Sequence, residues 1–523
     1  MSNKFKESLL DPGTFSVTWE IVPGRGSNEK AQVDAIETAK EAIKDSRIHA
    51  ITITDCPGGN PAILAENLGK EVLDLGIEPL VHFTCKDKNR TQMESQLYAM
   101  ARSNIRNLLV MTGDYVNNAY EGKAKPVFDI DPIHCCDLMG RMNQGLEYQF
   151  GTKTMKNMPT DFFYGCAVSP FKSQESELIS QYNKLVKKIK FGGAKFIITQ
   201  LGYDMRKFHE VLQFMKMNDL NVPLVGNLYL LPLGTAKLMN RNGLPGCVAT
   251  DELVEILEDE KQSEDKGLEA RMIRAAKMYG IMKGMGFAGA HVGGSNLNLE
   301  KMQYIIDEGE KYSNNWQQYV NEFEFPMKKG FYYYKKDKKT KLNTEERVPI
   351  NRDDIEMRCP FIYHMSHFVH FMMFKPGKNL FGFMRWLSEK CDGTKMAKPY
   401  HFCEHFAKTV LYDCKDCGDC GMPNTAYICP MSKCPKNQRN GACGGSRDGW
   451  CEVFPGKKKC IYVKAYNRLK VYEEEDSLGE YAVGPCDWNH YQQSSWTNYF
   501  LGRDHDGKRL GIPYVPPKKK IRD

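Results

Sequence analysis

Nine of the chain's 18 cysteines crowd into residues 403–460, and five of them lie in DCKDCGDCGMPNTAYICPMSKC (413–434). Cys414, Cys417 and Cys420 are each separated by two residues, and Cys429 follows just before a proline. Three thiolates at that spacing, with a remote fourth before proline, match ferredoxin-type ligation. Cys434, Cys443, Cys451 and Cys460 make a second set of four, which leaves Cys403 over. Eight thiolates suit two 4Fe–4S clusters, one cluster with a zinc ion, or two zinc sites. The triplet spacing favours iron–sulfur, because zinc knots use pairs. The glycine-rich stretch NGACGGSRDGWC (440–451) could aim backbone N–H groups at cluster sulfurs.

A second group of reactive residues ends apolar, strand-like runs. These are Glu20, Thr54 with Asp55, His82 with Thr84, Asp114 and Gln200. Asp114 after a glycine reads equally well as a helix cap, and the two threonines as strand-end caps. Glu20 stands between Trp19 and Ile21. Such a setting is expected to push a carboxyl up, as a general acid needs. Gln200 offers donor and acceptor together.

These residues need a scaffold, and the first 310 residues supply eight apolar runs, at 15–22, 49–55, 79–84, 107–113, 162–168, 195–200, 223–230 and 289–294. Most are separated by stretches of helical spacing. Buried parallel strands joined by crossover helices read this way, and eight units in that length predict an α/β fold, a closed (β/α)8 TIM barrel. The alternative, an open doubly wound sheet, lacks its G-x-G-x-x-G. Polar residues at the strands' C-terminal ends then share one rim.

A length of 523 residues implies more than one domain. The expected division is a barrel over 1–310, a connecting helical and loop segment over 311–398, a small cysteine-rich metal or iron–sulfur domain over 399–475, and an extended tail over 476–523. Within the connector, 332–347 reads as a solvated loop or hairpin and 359–390 as packed helices. His364, His367 and His370 read as core or interface residues rather than a metal face. The net charge of +7, from 72 basic and 65 acidic residues, is too small to argue for nucleic acid. No 18-residue apolar run is visible, so no membrane span is expected. The opening MSNKFKESLLDPG carries no secretory signal, and abundant cysteine then points to a reducing, cytoplasmic compartment.

The set TWE (18–20), ITIT (51–54), VHFTCKDKNR (81–90), LVMTGD (109–114), GKAKPVFDID (122–131) and FIITQ (196–200) resembles methylenetetrahydrofolate reductase, over roughly residues 10–310. The resemblance implies an oxidoreductase of one-carbon metabolism. In that family a barrel-bound flavin passes a hydride between itself and methylenetetrahydrofolate, giving methyltetrahydrofolate. By position, Glu20 resembles the acid that opens the folate ring. Asp114 resembles a carboxylate beside flavin and folate, and Gln200 a pterin partner. Thr54, His82 and Thr84 resemble isoalloxazine contacts, Phe128 and Asp129 a loop at the flavin's sugar-like chain, and Ala167 a further cofactor-lining position. Thr112 stands where better-known bacterial members carry arginine. Ile189, flanked by Lys188 and Lys190, stands where a lysine often meets the cofactor phosphate. FAD and FMN are both compatible.

CKDCGDC, AYICPMSKCPKNQRNGACGGSRDG and VKAYNRLK, within residues 400–471, resemble the cysteine-rich partner module of the same family. This implies electrons reaching the flavin through a sulfur-bound site, from ferredoxin, NAD(P)H or a partner subunit, in an oligomer. The competing readings are a flavin-free folate methyltransferase barrel, and a zinc-ribbon scaffold that recruits an electron donor.

Overall fold

A computed structural model describes residues 2–352 and 359–518. Eight parallel strands close into a barrel: β1 (Ser16–Ile21), β2 (Ile48–Ile53), β3 (Glu78–Thr84), β4 (Asn107–Met111), β5 (Phe163–Val168), β6 (Ile197–Thr199), β7 (Leu224–Leu230) and β8 (Gly289–Gly294). Neighbours in sequence are neighbours in the barrel, and β8 returns to β1 with Ser16 opposite Gly289. Each of the eight apolar runs becomes one of these strands. Outward side chains such as Trp19, Ile51, Val81 and Val292 pack beneath the surrounding helices in one large core.

The helix Lys4–Leu10 precedes β1 and was not foreseen. It is two turns long, too short to show a period, and the Asn3 side chain caps it by accepting from the Lys6 N–H. Its Phe5 and Leu9 join Ala50, Leu80, Leu109, Phe163 and Val225 in a separate apolar layer that plugs the barrel at the strands' N-terminal ends. The other end is left for chemistry.

Past the barrel, Tyr334–Lys336 and Asn343–Arg347 form a hairpin. Its approach is pinned to the helix Met205–Met217: the Arg206 guanidinium lies 3.8 Å from the centre of the Tyr332 ring, and Lys207 donates to the Phe331 carbonyl at 2.6 Å. The segment 359–390 forms helices Phe361–Val369 and Asn379–Cys391. Met384 of the second packs on Tyr499 and Phe500, whereas Phe383 and Trp386 stay exposed. No helix among the described residues is long and apolar enough to cross a membrane.

The expected extended tail is a correction. Its described part contains the helices Ser477–Glu480 and Ser495–Phe500, and Leu478, Val483, Cys486, Phe500 and Leu501 are buried. These apolar residues are irregularly spaced, so no period betrays them. Residues 519–523 lie outside the described part.

Phe5 stands edge-on to Phe163 and Phe196, with ring centres 6.1 and 5.6 Å away. Phe5→Ala is expected to cost about 3 kcal/mol, read as a lower thermal midpoint.

Candidate functional site

A cavity of about 190 Å3 opens at the C-terminal ends of the strands. Thr54, His82, Thr84, Asp114, Ala167 and Gln200 line it from the ends of five strands, β2 to β6. The strands bring them together because alternate residues point inward and each strand ends on the same rim.

Glu20 lies on β1 beside this group. His291 of β8 faces it, with Nε2 3.0 Å from Glu20 Oε2 and Nδ1 2.9 Å from Thr18 Oγ1. The reactive atoms of Glu20, His82 and His291 all lie within 4.8 Å of one another. The expected upward shift of Glu20 is also corrected. Burial raises its carboxyl, but the His291 hydrogen bond and charge, aided by His82, outweigh it and hold Glu20 below its ordinary value. His291 escaped notice in the sequence. The parity that singled out Glu20 would have found it, since Ala290 and Val292 face the other way in GAHVGG.

The carboxyl that burial does push up is Asp114, with the Glu452 charge adding to the shift and Lys436 opposing it. Asp114 Oδ2 accepts the Gly58 N–H at 2.7 Å. The chain reaches it through Gly113, which adopts φ +84°, and a Cβ there would lie 2.8 Å from the Lys86 side chain. Asp55 takes the Thr84 hydroxyl at 2.8 Å and its N–H at 3.0 Å, and Lys88 at 3.1 Å. Lys188, also in the lining, bonds the Ala167 carbonyl at 2.5 Å.

Three buried polar atoms in this region find no partner: Thr54 Oγ1, His82 Nε2 and Ser169 Oγ. Buried polar atoms are nearly always bonded, so these mark where a polar-edged ligand would be held. Phe128 and Asp129 are not in the lining. Phe128 stacks on Tyr115, with ring centres 6.2 Å apart, and Asp129 is occupied by Arg90 at 2.8 Å and Trp488 at 2.9 Å.

The cysteine-rich module supplies the remaining wall. Lys436, Cys443, Gly444, Gly445 and Glu452 line the rim cavity together with the barrel residues. Any side chain at Gly445 would collide with Glu452. Cys443 and Glu452 also border a small cleft shared by Cys434, Cys451 and Cys460. The other set, Cys414, Cys417, Cys420 and Cys429, surrounds a second cleft with Lys408. Buried Cys486, which carried no motif, sits against Cys417. Backbone N–H groups point at the sulfurs, from Asp416 to Cys414 at 3.4 Å, from Lys436 and Gln438 to Cys434, and from Tyr462 and Val463 to Cys460. Among the described residues, no three of these sulfurs lie within 4.8 Å of one another. Four thiolates on zinc at about 2.3 Å would sit roughly 3.8 Å apart. The connector histidines do not converge: His364 bonds the Tyr472 hydroxyl and His367 stacks on the same ring at 3.9 Å.

His82 is buried, and desolvation first of all pushes its imidazole down to about 4. The folded chain therefore resists its protonation. The stability this contributes is present above the unfolded value near 6.5 and is lost as pH falls from there towards about 4. Titration of the ligand-free protein by NMR should find His82 neutral at pH 6, and His82→Gln should flatten that part of the stability profile.

No curated protein matches the chain. Among solved structures, a Clostridium thermocellum protein described as binding two copies of 5-methyl-5,6,7,8-tetrahydrofolic acid aligns with a TM-score of 0.41 and 14% identity, over 59% of this chain and 99% of that one. A Yersinia pestis dihydropteroate synthase aligns with a TM-score of 0.34 and 9% identity, over 58% and 96%. The family model described as methylenetetrahydrofolate reductase matches residues 5–308, and the one described as methylene-tetrahydrofolate reductase C terminal matches residues 394–489. The chain belongs to the methylenetetrahydrofolate reductase family, with that family's cysteine-rich C-terminal module fused behind the barrel.

Proposed function

We propose that this chain interconverts methylenetetrahydrofolate and methyltetrahydrofolate at the barrel rim, with a flavin held there and electrons supplied through the cysteine-rich module. The observation that carries the reading is the shared wall. One cavity joins the strand-end residues Thr54, His82, Asp114 and Gln200 to Cys443 of the second thiolate set.

The unpartnered Thr54, His82 and Ser169 atoms fit the polar edge of an isoalloxazine, and Lys188 offers a cation for a phosphate. A bound flavin would supply the hydride chemistry, and the protein orientation and electrostatics. Gln200 takes the pterin amide edge. Glu20 and His291 together hold the proton that opens the folate ring. The Glu20 side chain is 21% exposed. Glu20 adjoins the cavity through His82, and a substrate that reaches it strips that water and drives the carboxyl up, towards the range a general acid needs. Asp114 stands opposite as the partner for positive charge on the one-carbon unit.

The two thiolate sets are assigned to iron–sulfur clusters, with the set containing Cys443 nearer the rim. Their support is the two-residue spacing of Cys414, Cys417 and Cys420 along the chain, together with the N–H···S bonds described above.

Glu20→Gln should lower methyltetrahydrofolate oxidation by a hundredfold or more, on the order expected for a lost general acid. Flavin content and its reduction by dithionite should be unchanged, so normal turnover in this variant would exclude the assignment. Protein purified without oxygen should contain flavin and roughly four to eight irons per chain. Zinc in place of iron would remove the electron route and leave the barrel chemistry standing.

A further inference from the structure

A second cavity, of about 290 Å3, shares no lining residue with the rim cavity, and Cys429 of the first thiolate set forms part of its wall. Its lining carries four lysines and one arginine and no carboxylate. Asp413 reaches Lys433 from outside the lining, and Glu474 bonds His367 nearby at 3.2 Å. Lys458 and Lys464 have no ion pair described. The Lys464 ammonium is held below its ordinary value by desolvation first and then by the like charges of Arg468 and Lys433. Such a concentration of positive charge is stabilised by a bound anion.

The remaining surface is aromatic. Tyr363, Tyr412 and Tyr427 line the cavity with Ile362, Ile428 and Leu411. Tyr412 is committed to Ser366 at 2.6 Å. Tyr363 is wholly buried, yet its hydroxyl has no partner. Nearly every buried hydroxyl in a protein is bonded, so this one calls for a polar group inside the cavity. Arg468 lies 5.4 Å from the Tyr363 ring and gives one N–H to the Ala426 carbonyl at 2.8 Å, which leaves its other donors for an anion.

We propose that this cavity binds a phosphorylated planar heteroaromatic ligand, a flavin mononucleotide or a nicotinamide dinucleotide, with its ring against Tyr427 and its phosphate on Lys464, Lys458 and Arg468. The half-buried Tyr427 provides a flat apolar face, and the cations provide charge-assisted bonds to phosphate. The site is separate from the rim and stands whether or not the barrel reading holds.

Equilibrium dialysis of flavin-saturated holoprotein against FMN, NADH and inorganic pyrophosphate tests it. The expected result is one further equivalent of FMN or of NADH per chain, and which of the two binds identifies the source. Pyrophosphate should compete weakly. Lys464→Gln, at an exposed position, and Arg468→Gln should each weaken binding about tenfold, with barrel flavin and metal content unchanged. Tyr427→Leu should weaken the ringed ligands severalfold and leave pyrophosphate as it was. No further equivalent, or an affinity indifferent to Lys464→Gln, overturns the proposal. So does pyrophosphate binding as tightly as either ringed ligand, which would reduce the cavity to a seat for acidic side chains of a partner protein.

Discussion

Three buried ammonium groups hold the two halves of this molecule in register. From the barrel, Lys172 donates to the carbonyls of Gly444 at 2.5 Å and Ser446 at 2.6 Å. Lys184 donates to Gln438 Oε1 at 2.9 Å and to the Gly441 carbonyl at 3.2 Å. In the reverse direction, Lys436 of the module donates to the Gly113 carbonyl at 2.7 Å and pairs with Glu452. An ammonium removed from water without partners costs several kcal/mol. Each of these lysines therefore requires its carbonyls to stay where they are. The glycine-rich turn between Gln438 and Ser446 is clamped to the rim as a result.

That clamp decides what the rim cavity is made of. Glu452 and Lys436 reach the neighbourhood of Asp114 only because the turn is held there, and they act on its carboxyl in opposite directions. The same turn places Cys443 in the cavity wall. An electron route between the second thiolate set and a group at the rim would thus need no moving part. The first set lies elsewhere in the module, beside Lys408, whose ammonium the Cys420, Glu404 and Cys414 charges hold up against desolvation. Each set thus has a buried lysine beside it, Lys408 by the first and Lys436 by the second.

A different pattern surrounds the 290 Å3 cavity. There Lys433 pairs with Asp413, Lys459 donates to the Asp448 carbonyl and Arg468 gives one N–H to the Ala426 carbonyl, while the lining itself holds no carboxylate. Cations at the seam are buried against carbonyls, whereas those of the second cavity gather round a lining without a carboxylate.

The barrel was legible because each strand is a short apolar run and each crossover a helical period, both local properties. The grouping of the cysteines about two separate clefts was legible because each group is close-set along the chain. Thr54, His82, Thr84, Asp114 and Gln200 could be named because strand ends in a barrel share a rim. His291 lay within reach of the same parity argument. Other features depended on contacts between residues hundreds of positions apart. The downward shift of Glu20 needs His291, 271 residues away. The lysines that clamp the module look like ordinary surface charge until their carbonyls are placed. The last described stretch looks extended because the burial of Phe500 and Val483 follows no period. Local sequence carries propensity and spacing, whereas burial and charge pairing belong to surfaces that exist only once the chain has closed on itself.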